Sequence, residues 1–139
     1  MKSPAPAVIV LALACQGAPA AAQEQRPSLK AASAVRIANY GAPSVLLESR
    51  DKAGPILEDL NELRRRPWQR GDTRLSCYST IVVTAGKKTL GTFRVTREHV
   101  VEKQLEKGVT TSFSIAVGPT ELSRLSKALS EIAPAKDCN

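Results

Sequence analysis

From Leu75 to Val117 the apolar positions fall two apart. Val109–Val117 is the clearest case: Val109, Thr111, Phe113, Ile115 and Val117 point one way, and Thr110, Ser112, Ser114 and Ala116 the other. One apolar and one polar face describe a strand in a half-solvated antiparallel sheet. Leu75–Thr84 is rich in β-branched residues, Ala85-Gly86-Lys87-Lys88 turns the chain, and Thr89–Thr96 returns with Phe93 and Val95 on one face. The stretch Arg97–Lys107 reads two ways. A helix would set Glu98, Glu102 and Glu106 four apart, which repels. A strand would end on Glu106-Lys107-Gly108, a fair hairpin turn, and is favoured. Earlier, Ala34–Tyr40 alternates with Val35 and Ile37 on one face. Gly41-Ala42-Pro43 breaks that run, and Val45-Leu46-Leu47 forms a second extended piece.

Twice the period becomes helical. Pro55 suits a first helical position, where no donor is needed. Ile56, Leu57, Leu60 and Leu63 then share a stripe. Glu58 and Asp59 fall in the first turn and Arg64, Arg65 and Arg66 in the last, the order the helix macrodipole favours; Pro67 stops the helix. A second helix is predicted from Pro119 to about Ile132, with Leu122, Leu125, Leu129 and Ile132 on one stripe. Each amphipathic helix needs a surface to cover, and the sheet offers one. The expected fold class is α+β: an antiparallel sheet of about four to five strands with two helices packed on one face. Leu60, Leu63, Phe93, Phe113, Ile115, Leu125 and Leu129 should share its core.

Residues 1–22 stand outside this pattern. Lys2 is their only charge, Ala7–Ala14 is apolar, and Ala20-Ala21-Ala22 precedes Gln23. That is the layout of a secretory signal peptide, and the apolar run is too short to span a membrane. Cleavage after Ala22 would leave residues 23–33 as a flexible polar leader and 34–139 as a single small domain in the periplasm or outside the cell. Acylation at Cys15, as in a lipoprotein, is the minor alternative. It is disfavoured because Leu13 sits one place too late before that Cys.

With 139 residues, 42% hydrophobic and 24% charged, the chain is sized for one domain, not a multidomain enzyme, repeat array or polytopic membrane protein. Without Lys2 it carries 19 basic and 13 acidic residues, a net charge of +6. This favours acidic partners, either an envelope protein or an anionic surface; nucleic acid ranks last for an exported chain. Two cysteines, Cys77 and Cys138, remain after cleavage, and an oxidising compartment would join them. With His99 they are too few and too scattered for a standard zinc pattern, so no metal or cofactor is expected.

Catalytic patterns are thin. No nucleophile elbow, zinc-protease motif, phosphate loop or dinucleotide fingerprint occurs. Glu58, Glu62, Glu102, Glu106, Glu121 and Glu131 sit mostly on predicted solvent faces, with no spacing that singles out a pair. His99 is the one histidine. The anomaly lies between Arg64 and Arg74: five arginines and the only Trp fall within RRRPWQRGDTR. Arg and Trp are enriched at binding hot spots, and the Arg fork suits carboxylates and phosphates. Arg66, Trp68, Arg70 and Arg74 are therefore the candidate binding residues. The rival reading gives Arg64–Arg66 to the helix end and makes Trp68 a plug over the core. The expected function is a non-enzymatic binding or accessory module of the bacterial envelope, inhibitor-like in form. The alternative is a small periplasmic hydrolase working through His99 or unrecognised carboxylates.

Overall fold

A computed structural model describes residues 26–132. The expected signal segment, Cys15 and Cys138 lie outside the described residues. The elements run β1 (Ala34–Ala38), β2 (Val45–Leu47), α1 (Arg50–Arg64), β3 (Gln69–Arg70), β4 (Ser79–Ala85), β5 (Lys88–Val95), β6 (His99–Glu106), β7 (Val109–Ala116) and α2 (Ser123–Ser130). All pairings are antiparallel, in the order β2-β1-β4-β5-β6-β7-β3. The fold is therefore α+β with an antiparallel sheet, but of seven strands rather than four to five. Six of the seven fall on extended stretches of the sequence, more than the sheet was expected to hold, and β3 is the one without such a signal. Two residues are too few to show an alternation, and pairing with β7 alone makes them a strand.

The stretch 97–107 contains β6, a strand, and closes on a two-residue hairpin in which Glu106 faces Val109. Lys107 (φ 53°) and Gly108 (φ 79°) are both left-handed, as a turn matched to the strands' twist requires. The same register aligns a continuous inner face across the strands. Val35 faces Val83, Ile81 faces Phe93, Val95 faces Val100, and Val100 faces Ile115. These side chains join Ile56, Leu60 and Leu63 of α1 and Leu125 of α2 in one hydrophobic core. Of the seven residues expected to share it, Leu60, Leu63, Phe93, Ile115 and Leu125 do. Leu129 packs at its margin half-buried. Phe113 is buried but stands apart from the cluster.

Both helix starts differ from expectation. Ser49 caps α1, its hydroxyl accepting from Lys52 N at 3.4 Å, so the helix begins five residues before Pro55. Pro55 lies inside the helix and removes one ladder donor; Gly54 before it has no Cβ to crowd the ring. The start of α2 has no capping side chain of its own. Asp59, buried on α1, takes that role: its Oδ2 accepts from Leu125 N at 2.8 Å, and Oδ1 receives Arg124 Nη1 at 3.3 Å. A carboxylate at a helix N-terminus satisfies an orphan donor and suits the dipole. Leu125 itself has no exposed surface. Leu125→Ala should cost about 2–5 kcal/mol in urea unfolding, since it opens a cavity beneath the cap.

The expected leader also changes character. Residues 26–33 pack onto the fold: Leu29 is buried in a short 3-10 turn whose cap is Ser28, and Ser33 N donates to Thr84 O at 2.8 Å. No periodicity marks so short a piece, so tertiary contacts alone hold it. The outer face of the sheet is not wholly solvated either, since Val101 and Ser114 are buried there. Residues 71–78 return the chain from β3 to β4 along this face. Asp72 meets Lys103 at 2.6 Å, and Arg94 lies 5.0 Å from the Tyr78 ring centre. No helix among the described residues is long and apolar enough to cross a membrane.

Candidate functional site

The Arg/Trp segment follows α1 directly and runs along the sheet's β3 edge. Gln69 pairs with Ser114, Arg70 with Phe113, and Gly71 N donates to Ser112 O at 2.8 Å. No strand lies beyond β3 among the described residues, so its outer backbone edge is open. Arg65, Arg70 and Arg74 are exposed and make no ion pair among those residues, whereas Arg66 pairs with Glu121. Trp68 is half-buried: its indole N–H donates to Leu63 O at 2.8 Å, and its ring packs against the core. The four candidate residues therefore divide. Arg70 faces solvent at the edge, Arg74 is exposed on the groove that His99 lines, Arg66 is committed to a local acid, and Trp68 turns inward. In the Arg70-Gly71-Asp72 triplet, Asp72 is held by Lys103, whose hydrogen bond keeps its carboxyl below the ordinary range.

Behind Trp68 lies a cluster with no counterpart in the sequence reading. Glu102, expected on a solvent face, has no exposed surface. Its strand position sets it on the inner face, opposite Phe93 on one side and Phe113 on the other. Two guanidinium groups converge on it. Arg26 Nη1 donates to Oε1 at 2.9 Å, and Arg64 donates Nε to Oε1 at 3.1 Å and Nη2 to Oε2. Gln104 Nε2 donates to Oε2 and, at 2.8 Å, to Leu90 O. That carbonyl is available because the β4–β5 register shifts between Val83 and Thr84, freeing Leu90 from the ladder. Arg64 also reaches Pro27 O.

Space for this cluster comes from Gly91. A Cβ there would stand 3.0 Å from Glu102 Oε2 and 3.2 Å from Arg64 Nη2. The Arg26 guanidinium carbon lies 4.7 Å from the Trp68 ring centre and 4.6 Å from the Phe113 ring centre. Burial lowers the Arg26 pKa from its ordinary value and the Arg64 charge adds to this, while Glu102 opposes both. Arginine titrates so high that the group stays charged. The trio carries a net charge of +1, with Arg26 and Glu102 buried and Arg64 reaching in from the surface.

His99 opens β6 beside a groove of about 1000 Å³ at one end of the sheet. Arg74, Ser76, Cys77, Ser79, Glu98 and Ser126 also line it. Cys77 is left-handed (φ 57°) and is not a free thiol, so it offers His99 no nucleophile. The Cys77–Cys138 pairing rests on residue 138, outside the described residues. Among those residues no group of three or more His, Cys, Asp or Glu is placed to hold a metal ion. No protein-family model, curated protein or solved structure matches the chain.

Proposed function

We propose that the protein is an exported binding module that engages an acidic partner along the β3 edge. The observation that carries this reading is the open edge itself, with Arg70 exposed and unneutralised on it. An open edge offers backbone hydrogen bonds to an added strand, and flanking cations select acidic segments and speed their approach. Trp68 supports the edge from behind instead of meeting the partner. The measurement is capture from an envelope extract at low and high salt, using the mature chain and its Arg70→Glu/Arg74→Glu variant as baits. The reading expects a partner held by the first bait, lost from the second and weakened by salt. Equal capture by both baits would refute it.

Export and the Cys77–Cys138 disulfide belong to the same reading. The exported chain should begin at Gln23 by intact mass, and non-reducing peptide mapping should join the two cysteines. A lipid-modified Cys15 would overturn the first expectation and two free thiols the second.

The hydrolase alternative keeps one supporting observation, the groove that His99 lines together with Glu98, Ser76 and Ser79. It requires a turnover that His99→Ala abolishes without changing the melting temperature.

A further inference from the structure

We propose that Trp68, Phe113 and Glu102 form a guanidinium-binding site that Arg26 fills in cis, and that it accepts a guanidinium from another molecule once Arg26 is removed. This does not rest on the β3-edge reading: the slot lies behind Trp68 and uses none of the exposed arginines of the edge.

Arg26 comes from a different part of the chain than the groups around it. It lies in the first described segment, before the first strand, and enters the fold mainly by its side chain and by Leu29. The groups that receive it belong to other elements: Trp68 leads into β3, Phe113 lies in β7 and Glu102 in β6. Register fixes two of them, since Glu102 and Phe113 are direct cross-strand partners. Trp68 is fixed by its bond to Leu63 O. The slot is therefore built by the sheet and α1, not by the segment that occupies it.

The chemistry of the slot selects a planar cation. Two rings, each with its centre under 5 Å from the guanidinium carbon, favour positive charge at this place. The carboxylate supplies the directional contact. An ammonium is compact and more strongly hydrated, so it fills such a slot poorly. Among the described residues Arg26 meets the slot through the two rings and Nη1, and its buried Nε has no hydrogen-bond partner there. Nothing in the slot thus requires the guanidinium to arrive on this chain's own stem. With Arg26 gone, Glu102 keeps Arg64 and Gln104 as donors, so the receiving carboxylate stays in place.

The test uses the full mature chain carrying Arg26→Ala. Trp68 is the only tryptophan, so its fluorescence reports the slot alone. Ethylguanidinium chloride, at millimolar concentrations far below denaturing levels, is titrated against ethylammonium chloride at equal ionic strength. The proposal expects a saturable change in Trp68 emission and a raised melting temperature with ethylguanidinium only, and no such response in the unsubstituted chain. A second arm uses a peptide of residues 23–31. If it binds at least tenfold more tightly than ethylguanidinium, the slot reads an arginine within an extended chain; comparable binding assigns it to free guanidinium compounds. Both results support the site. No saturable emission change, an equal response to ethylammonium, or an equal response of the unsubstituted chain would overturn it. Should Arg26→Ala fail to fold, refolding with each salt decides: selective recovery with ethylguanidinium supports the slot, and no recovery refutes it.

Discussion

Glu102→Ala should be among the most damaging single substitutions in this chain, with a loss of about 3–5 kcal/mol in denaturant unfolding. The size follows from what remains. Arg26 and Arg64 both donate to this one carboxylate, and their side chains are 1% and 11% exposed. Removing Glu102 leaves two like charges facing each other away from water, and both stay charged. Gln104 also loses one acceptor. The replacement strands the partners, which costs far more than exchanging a whole ion cluster for apolar groups. A double-mutant cycle checks this origin. Adding Arg26→Met to Glu102→Ala should recover part of the loss, because one stranded charge becomes an apolar side chain in an aromatic slot. If the second substitution deepens the loss additively, the pair is not coupled and the electrostatic account fails.

Glu102 also shows how much of this fold the sequence can yield. Once β6 is taken as a strand and Lys107-Gly108 as a two-residue turn, Glu106 must face Val109 and Glu102 must face Phe113. Cross-strand partners point to the same face. Phe113 belongs to the apolar stripe of β7, so Glu102 points into the core by register alone. The glutamate's preference for water suggested the opposite, and register prevailed because burial of the whole stripe fixes it. The carboxylate could therefore have been found inside, but its partners could not. Arg26 and Arg64 are 76 and 38 residues away from it in the chain; no local pattern marks Arg26, and the pattern around Arg64 pointed to the helix end and the Arg/Trp segment instead of a buried carboxylate. Asp59 is similar: its place in α1 was legible, but capping α2 across 66 residues is a product of tertiary packing. Strands β4 to β7 show a clear period of two, whereas β3 and the 3-10 turn at Leu29 are too short to carry any period. For the candidate site, the sequence marked the anomalous segment and its exposed arginines. It did not reveal that the tryptophan at its centre faces an arginine from the other end of the described chain.

Trp68→Ala should lower stability by about 3 kcal/mol, the low end for removal of a large buried aromatic, because the side chain is half-buried. Most of that loss is packing. The ring packs against the hydrophobic core and also meets the Arg26 guanidinium, 4.7 Å from its centre. The hydrogen bond contributes less, because Leu63 O also accepts from Arg66 N at 3.1 Å and is not orphaned when the indole goes. Trp68→Phe separates the two terms: it keeps a ring over Arg26, loses the N–H, and should cost about 1 kcal/mol. Arg70→Glu and Arg74→Glu are the contrast. Both side chains are exposed without an ion pair among the described residues, so each should move stability by no more than about 0.5 kcal/mol. Thermal or urea unfolding of the four variants gives the ranking directly. A Trp68→Ala chain as stable as the parent would place the indole at a partner surface. The segment would then work as one hot spot, instead of an edge that binds and an aromatic that holds that edge in place.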